Sequence, residues 1–190
     1  MTARAFAAIV ETRLFAGRRV TIAACAAAAL VGVLQPRGIE APLFFCSFAG
    51  IAMAMVQSPG RYAHLDLCEQ SAPLFGRELA RAKALVPCLV ATLATLCYGV
   101  GALAGGASWG AAPRLSMALA ATLAATLTAL SASVRRGSAR SLYVLLSAAV
   151  ACAAYALATI GAAAEAAFCA SAAFVALRQY GETLARYDPV

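Results

Sequence analysis

Few residues in this chain have types and spacing suited to chemistry. The one histidine, His64, stands in RYAHLDLCEQ, with Asp66 two residues on and Cys68 four residues on. On a helix His64 and Cys68 share a face while Asp66 points elsewhere. A structural metal site needs three or four converging ligands, so this triplet is too sparse for one. Of the seven cysteines, Cys25, Cys46, Cys88, Cys97, Cys152 and Cys169 lie in uncharged apolar runs, and Cys68 lies in a polar segment. None falls in an expected outer loop, so no disulfide framework is implied; each reads as a small membrane hydrophobe. No phosphate-binding G-x-x-x-x-G-K-[ST] loop and no H-E-x-x-H pair occurs. A hydrolase-type nucleophile elbow is not expected either, and no acid–base pair is in view. Accordingly no catalytic residue, cofactor or metal ligand is assigned, and no enzymatic activity is expected of the chain itself.

The elements that carry these residues are apolar. Of 190 residues, 63% are hydrophobic and 12% are charged, against ~25% charged in soluble domains. A soluble fold of this size cannot hide so much apolar surface. Uncharged runs recur at 20–34, 41–57, 84–104, 115–134, 141–160 and 166–177. A spanning helix needs ~20 apolar residues. The third to fifth runs meet that directly; the first and last must recruit flanking residues, with Arg18, Arg19 or Arg178 reaching to the headgroups. The expectation is an all-α, polytopic membrane protein with one transmembrane domain over 1–190 and six spans.

The net charge of +7 follows from where the basic residues sit, so no nucleic-acid partner is invoked. With loops assigned alternately to two sides, only Arg37 and Arg114 fall on the second side; the other thirteen basic residues fall on the first. Lys and Arg are retained on the cytoplasmic side during insertion. Both termini are therefore expected in the cytoplasm, and the bacterial inner membrane is the expected location. The paired Arg18 and Arg19 before an apolar stretch look like a secretory leader, but no small-x-small cleavage site precedes QPRG. The stretch reads as an uncleaved first span.

Within 1–19, residues 3–16 place Phe6, Ile9, Val10 and Leu14 at helical spacing, with Arg4, Glu11 and Arg13 elsewhere. Two readings stand: an interfacial amphipathic helix or a plain cytoplasmic extension of the first span. QPRGIEAP is a tight outer turn and GGASWGAAP an outer loop with an interfacial Trp109. The fifth and sixth runs should form a close hairpin. Glu165, at its outer edge, is expected to be solvated, or else part of a pathway. Hydroxyls gather at Thr92, Thr95, Ser116, Thr122, Thr126, Thr128, Ser131 and Ser133; they suit helix packing or a wetted path. Gly101 and Gly105 fit a small-xxx-small packing motif.

The segment from Ser58 to Lys83 departs from its surroundings by its charge. Ser58-Pro59 opens a short helix on which Tyr62, Leu65 and Glu69 fall at helical spacing, and a second helical start follows at Ser71–Pro73. Leu74, Phe75 and Leu79 then form an apolar patch, with Arg77, Arg81 and the pair Glu78/Lys83 expected to face outward. One reading is a solvated connector.

LCEQSAPLFGRELARAK also resembles the segment after the second span in membrane subunits of type-2 ABC exporters, with Leu67, Pro73, Arg77, Leu79 and Lys83 at matching places. The chain departs from that family where Arg61 and Asp66 replace the usual opening acidic–basic pair, and in lacking an outer segment between the last two runs. The resemblance implies a coupling helix at about 62–76 that docks on a separate cytoplasmic ATP-binding subunit. Tyr62, Leu65, Glu69, Pro73, Leu74, Phe75, Arg77 and Arg81 would form the dock. It further implies a homodimer, or a heterodimer with a related permease, in the bilayer. A small non-catalytic membrane protein that scaffolds or regulates a partner is the alternative.

Overall fold

The computed structural model describes residues 2–35, 40–56, 76–108, 112–135 and 138–185. Among them lie seven helices and no strands: α1 (Thr2–Ala16), α2 (Arg18–Leu34), α3 (Glu40–Val56), α4 (Gly76–Ala104), α5 (Ala112–Ser133), α6 (Ser138–Ile160) and α7 (Ala162–Ala185). Ala and Leu dominate these segments, and both lose little on entering a helix. Gly17 separates α1 from α2, whose axes bend by 68°. At the far end of α4 the chain stops on Gly106, whose φ of +93° only glycine adopts easily. The Ala107 N–H donates to the Ala102 carbonyl at 2.9 Å and the Gly106 N–H to the Leu103 carbonyl at 3.1 Å. That is the Schellman pattern, which satisfies the last carbonyls of α4.

Among the described residues three helices are long and apolar enough to cross a bilayer: Glu78–Ala104 of α4, Pro113–Ser133 of α5 and Ser138–Ile160 of α6. A fourth is added if the bent α1–α2 pair counts as one. The apolar part of α3, Cys46–Val56, is shorter, and α7 carries Glu165 near one end and Arg178 and Glu182 near the other. Of the six expected spans, three coincide with helices long and apolar enough to cross, or four with the bent pair. The close hairpin is present: Gly161 alone joins α6 to α7.

The packing register fixes the direction of each helix. Ala29 and Val33 of α2 meet Gly101 and Gly105 of α4 in the same order, so these two run parallel. Ser47 and Gly50 of α3 meet Thr122 and Thr126 of α5, again parallel. Ala54, Leu130 and Tyr180 of α3, α5 and α7 converge in one cluster, while Ala121 and Cys169 meet in another, so α7 follows α5. Met53 and Val56 sit with Val86 and Val90, whereas Cys46 and Ala49 sit with Ala94 and Tyr98, which makes α3 antiparallel to α4. Tyr143 of α6 meets Gln179 of α7 while Val150 and Ala154 meet Cys169, so α6 runs antiparallel to α7, and the six helices after the Gly17 elbow alternate in direction. Of the basic residues on described segments, Arg114 alone lies at one end of the bundle; Arg4, Arg13, Arg18, Arg19, Arg77, Arg81, Lys83, Arg135, Arg140 and Arg178 gather toward the other.

Candidate functional site

The basic end is where the sequence places its functional segment. Tyr62, Leu65, Glu69, Pro73, Leu74 and Phe75 lie outside the described residues, as do His64, Asp66 and Cys68. Arg77 falls in the first turn of α4, and Arg81 one turn later is exposed. From Gly76 on, the end of the charged stretch and the third apolar run are one continuous helix of 29 residues. At ~1.5 Å per residue this helix is roughly 43 Å long, against about 30 Å of hydrocarbon. If the apolar part spans, its charged start projects past the bilayer by roughly two turns. Pro87 lies inside the helix without ending it.

Two expectations for this end need correction. Glu78 and Lys83 do not form an outward pair: Lys83 is 6% exposed, and Glu78 is half-buried with its Oε2 shielded and without a hydrogen bond. Ala80 and Ala84 pack with Ala129, Leu130 and Val134, which brings this part of α4 against other helices. Arg13 is likewise not on a separate polar face of α1. It follows Ile9 by one helical turn, and both are buried, Arg13 fully. The cause is tertiary: Val10, Leu14 and Val20 pack on Met53, Val56, Val86 and Val90, so α1 is fastened across the ends of α3 and α4. Gly17 makes the elbow possible, because a Cβ there would meet the Met53 side chain, its Sδ at 2.9 Å. Phe15, Arg18 and Arg19 remain exposed, with the Arg18 guanidinium 4.4 Å above the Phe15 ring.

A second polar group ties the last three helices together at the same end. The Arg135 guanidinium lies 4.0 Å above the Tyr143 ring, and the Tyr143 hydroxyl donates to Gln179 Oε1 at 3.1 Å. Arg178 and Glu182 pair at 2.9 Å on the exposed face of α7.

The interior hydroxyls are packed between helices. Thr122 and Thr126 are fully buried. The Thr126 hydroxyl donates to the Thr122 carbonyl at 2.7 Å, and Ser47 Oγ donates to Thr122 Oγ1 at 3.4 Å. Thr92, Thr95 and Thr128 donate to carbonyls four residues back. Such bonds satisfy the hydroxyl within its own helix and leave its methyl group for packing. Gly50 lets α3 approach this face, since a Cβ there would lie 3.1 Å from Thr126 Cβ.

Glu165 departs from the expected solvated position. It is 1% exposed, and its Oε1 has no hydrogen-bond partner. It stands in the first turn of α7, one turn before the buried Cys169, which packs on Ala121, Ala124, Val150 and Ala154. The Gly161 hairpin explains the burial, because so short a connection draws the start of α7 onto α5 and α6. No sequence signal distinguishes this Glu from a solvated one at a helix start.

GASWG at 106–110 does spell G-x-S-x-G. A nucleophile elbow requires a strand before the serine and a helix after it; here Gly106 and Ser108 follow the end of α4. Among the described residues no three His, Cys, Asp or Glu side chains group so as to hold a metal. Compared with known proteins, the chain matches no family model, no curated protein and no solved structure.

Proposed function

We propose that this chain is the membrane-embedded permease subunit of an ATP-driven ABC-type exporter, in which a separate cytoplasmic ATPase docks on the segment after the second span. In this reading all six helices after the elbow cross the bacterial inner membrane and both termini face the cytoplasm. The alternating directions of α2 to α7 and the gathering of basic residues at one end support that topology. α1 then lies near the interface. The observation that carries the reading is the long α4, whose start bears Arg77 and the exposed Arg81 directly after the segment that resembles a coupling helix. Leu65, Leu74 and Phe75 would enter a groove on the ATPase, and Arg77 and Arg81 would sit at its polar rim. Because Thr122 and Thr126 are packed within the chain, the transport path is assigned between two permease chains.

The test is co-purification from native membranes in mild detergent. The expected result is a stoichiometric partner with a Walker phosphate loop, lost when Leu74→Asp and Phe75→Asp are combined while the chain still inserts. A variant that binds the ATPase and transports normally overturns the docking surface. Absence of any ATPase, under conditions that preserve a known membrane complex, overturns the permease reading in favour of a scaffold.

A further inference from the structure

α2 and α4 lie close against each other. Glycines bring the two backbones together. A Cβ on Gly105 would lie 2.6 Å from the Val33 carbonyl oxygen, and one on Gly32 would lie 2.8 Å from the Ala102 nitrogen. A Cβ on Gly101 would strike the Ala29 carbonyl. The contacts advance by four residues on each helix: Ala29 with Gly101, then Val33 with Gly105. One turn in the other direction, the same register sets Cys25 opposite Cys97. The placement agrees with the register, because the two thiols interact with each other, and the Cys46 thiol of α3 interacts with both. Cys46 is fully buried, whereas Cys25 and Cys97 are half-buried. The half-buried pair is therefore the reachable one.

We propose that Cys25 and Cys97 form a reversible dithiol–disulfide pair whose oxidation staples α2 to α4. The observations for it are the shared register and the glycine-set closeness of the two backbones, which place the thiols near enough to interact. Disulfides need Cα atoms ~4.4–6.8 Å apart, a range that backbones in glycine contact approach. The oxidant class is a small apolar disulfide able to enter from lipid. One protein thiol gives up its proton and attacks the reagent, forming a mixed disulfide and releasing one small thiol. The second protein thiol gives up its proton and attacks the mixed disulfide at the protein sulfur, expelling the second small thiol. Two S–H bonds and the reagent S–S bond break; one protein S–S bond and two small thiols form. This pairing does not depend on the permease reading.

The test uses a variant that keeps Cys25 and Cys97 and has the other five cysteines replaced by Ala, purified in mild detergent. It is treated with 2,2′-dithiodipyridine, which releases a coloured thione. The expected result is two equivalents of thione, a monomer lighter by two hydrogens, and recovery of both thiols with dithiothreitol. Shifting one thiol off the seam, with Cys97→Ala and Leu96→Cys, should slow closure about tenfold or more, since disulfide geometry is narrow. Leu96 is exposed, so its replacement leaves the packing intact. A monomer that instead gains two thiopyridyl groups, a disulfide between two chains, equal rates for the shifted pair, or thiols that react only after unfolding in dodecyl sulfate would each overturn the proposal.

Discussion

The α2–α4 seam and the α6–α7 hairpin solve the same problem differently. At the seam, Gly32, Gly101 and Gly105 remove side chains so that two backbones touch. In the hairpin the chain itself holds the helices, through the single residue Gly161, and much of the surface is left open. The most apolar stretch of α6 is 22% buried, against 50% for α4 and 61% for α5. Leu142, Leu145, Leu146, Phe174 and Val175 are exposed. In a bilayer lipid tails cover such leucines as well as another helix does, so apolar character alone gives helices no reason to associate. Close contact must come from shape, and shape is what the glycines supply. The half of the bundle built from small residues is therefore the half whose structure depends on individual positions.

The largest expected effect breaks the seam. Gly101→Val places a branched side chain against the Ala29 backbone and should cost about 3 kcal/mol. The check is the unfolding midpoint of detergent-purified protein titrated with dodecyl sulfate; an unchanged midpoint would mean that α2 and α4 are not in backbone contact.

A smaller effect of opposite sign sharpens the picture of the hairpin. Glu165 places a carboxyl oxygen without a partner between α7 and its neighbours. Glu165→Leu should raise the same midpoint by about 1–2 kcal/mol, because an unsatisfied buried polar group costs that much. A drop would show that the carboxyl is bound by something the single chain does not contain, such as a second subunit or a transported cation.

The smallest effect is expected on the outer face of α6. Leu145→Ala, at a residue 68% exposed, should shift the midpoint by no more than about 0.5 kcal/mol. A loss comparable to that at Gly101 would place another protein on this face in the detergent-extracted protein.

The helical, membrane-suited character of the chain was legible in its uncharged runs, and three of those runs coincide with helices long enough to cross. An N-terminal helix over 3–16 was legible, but its 68° bend away from α2 was not, since the spacing fitted an interfacial helix and a plain extension of the first span equally. The hairpin at Gly161 was visible in the short gap between runs. Arg13, Lys83 and Glu165 were misplaced because a helical wheel assigns a charge to the polar face by default. Burial of a long cation or a carboxyl depends on which neighbour closes over it, and for these three the neighbours come from other helices. Of the candidate docking residues, Arg81 is exposed and Arg77 falls at the start of α4; the others lie outside the described residues.

Composition and charge spacing by themselves determined a helical chain suited to lipid, with its basic residues on alternate connections. These are one-dimensional properties, set by how many apolar residues follow one another before a charge. Tertiary structure alone decided that Cys25 faces Cys97, that Thr122 meets Ser47, and that Glu165 is enclosed. The two pairings join residues 72 and 75 positions apart. They rest on register, which small residues set by allowing two backbones to meet at one offset and no other.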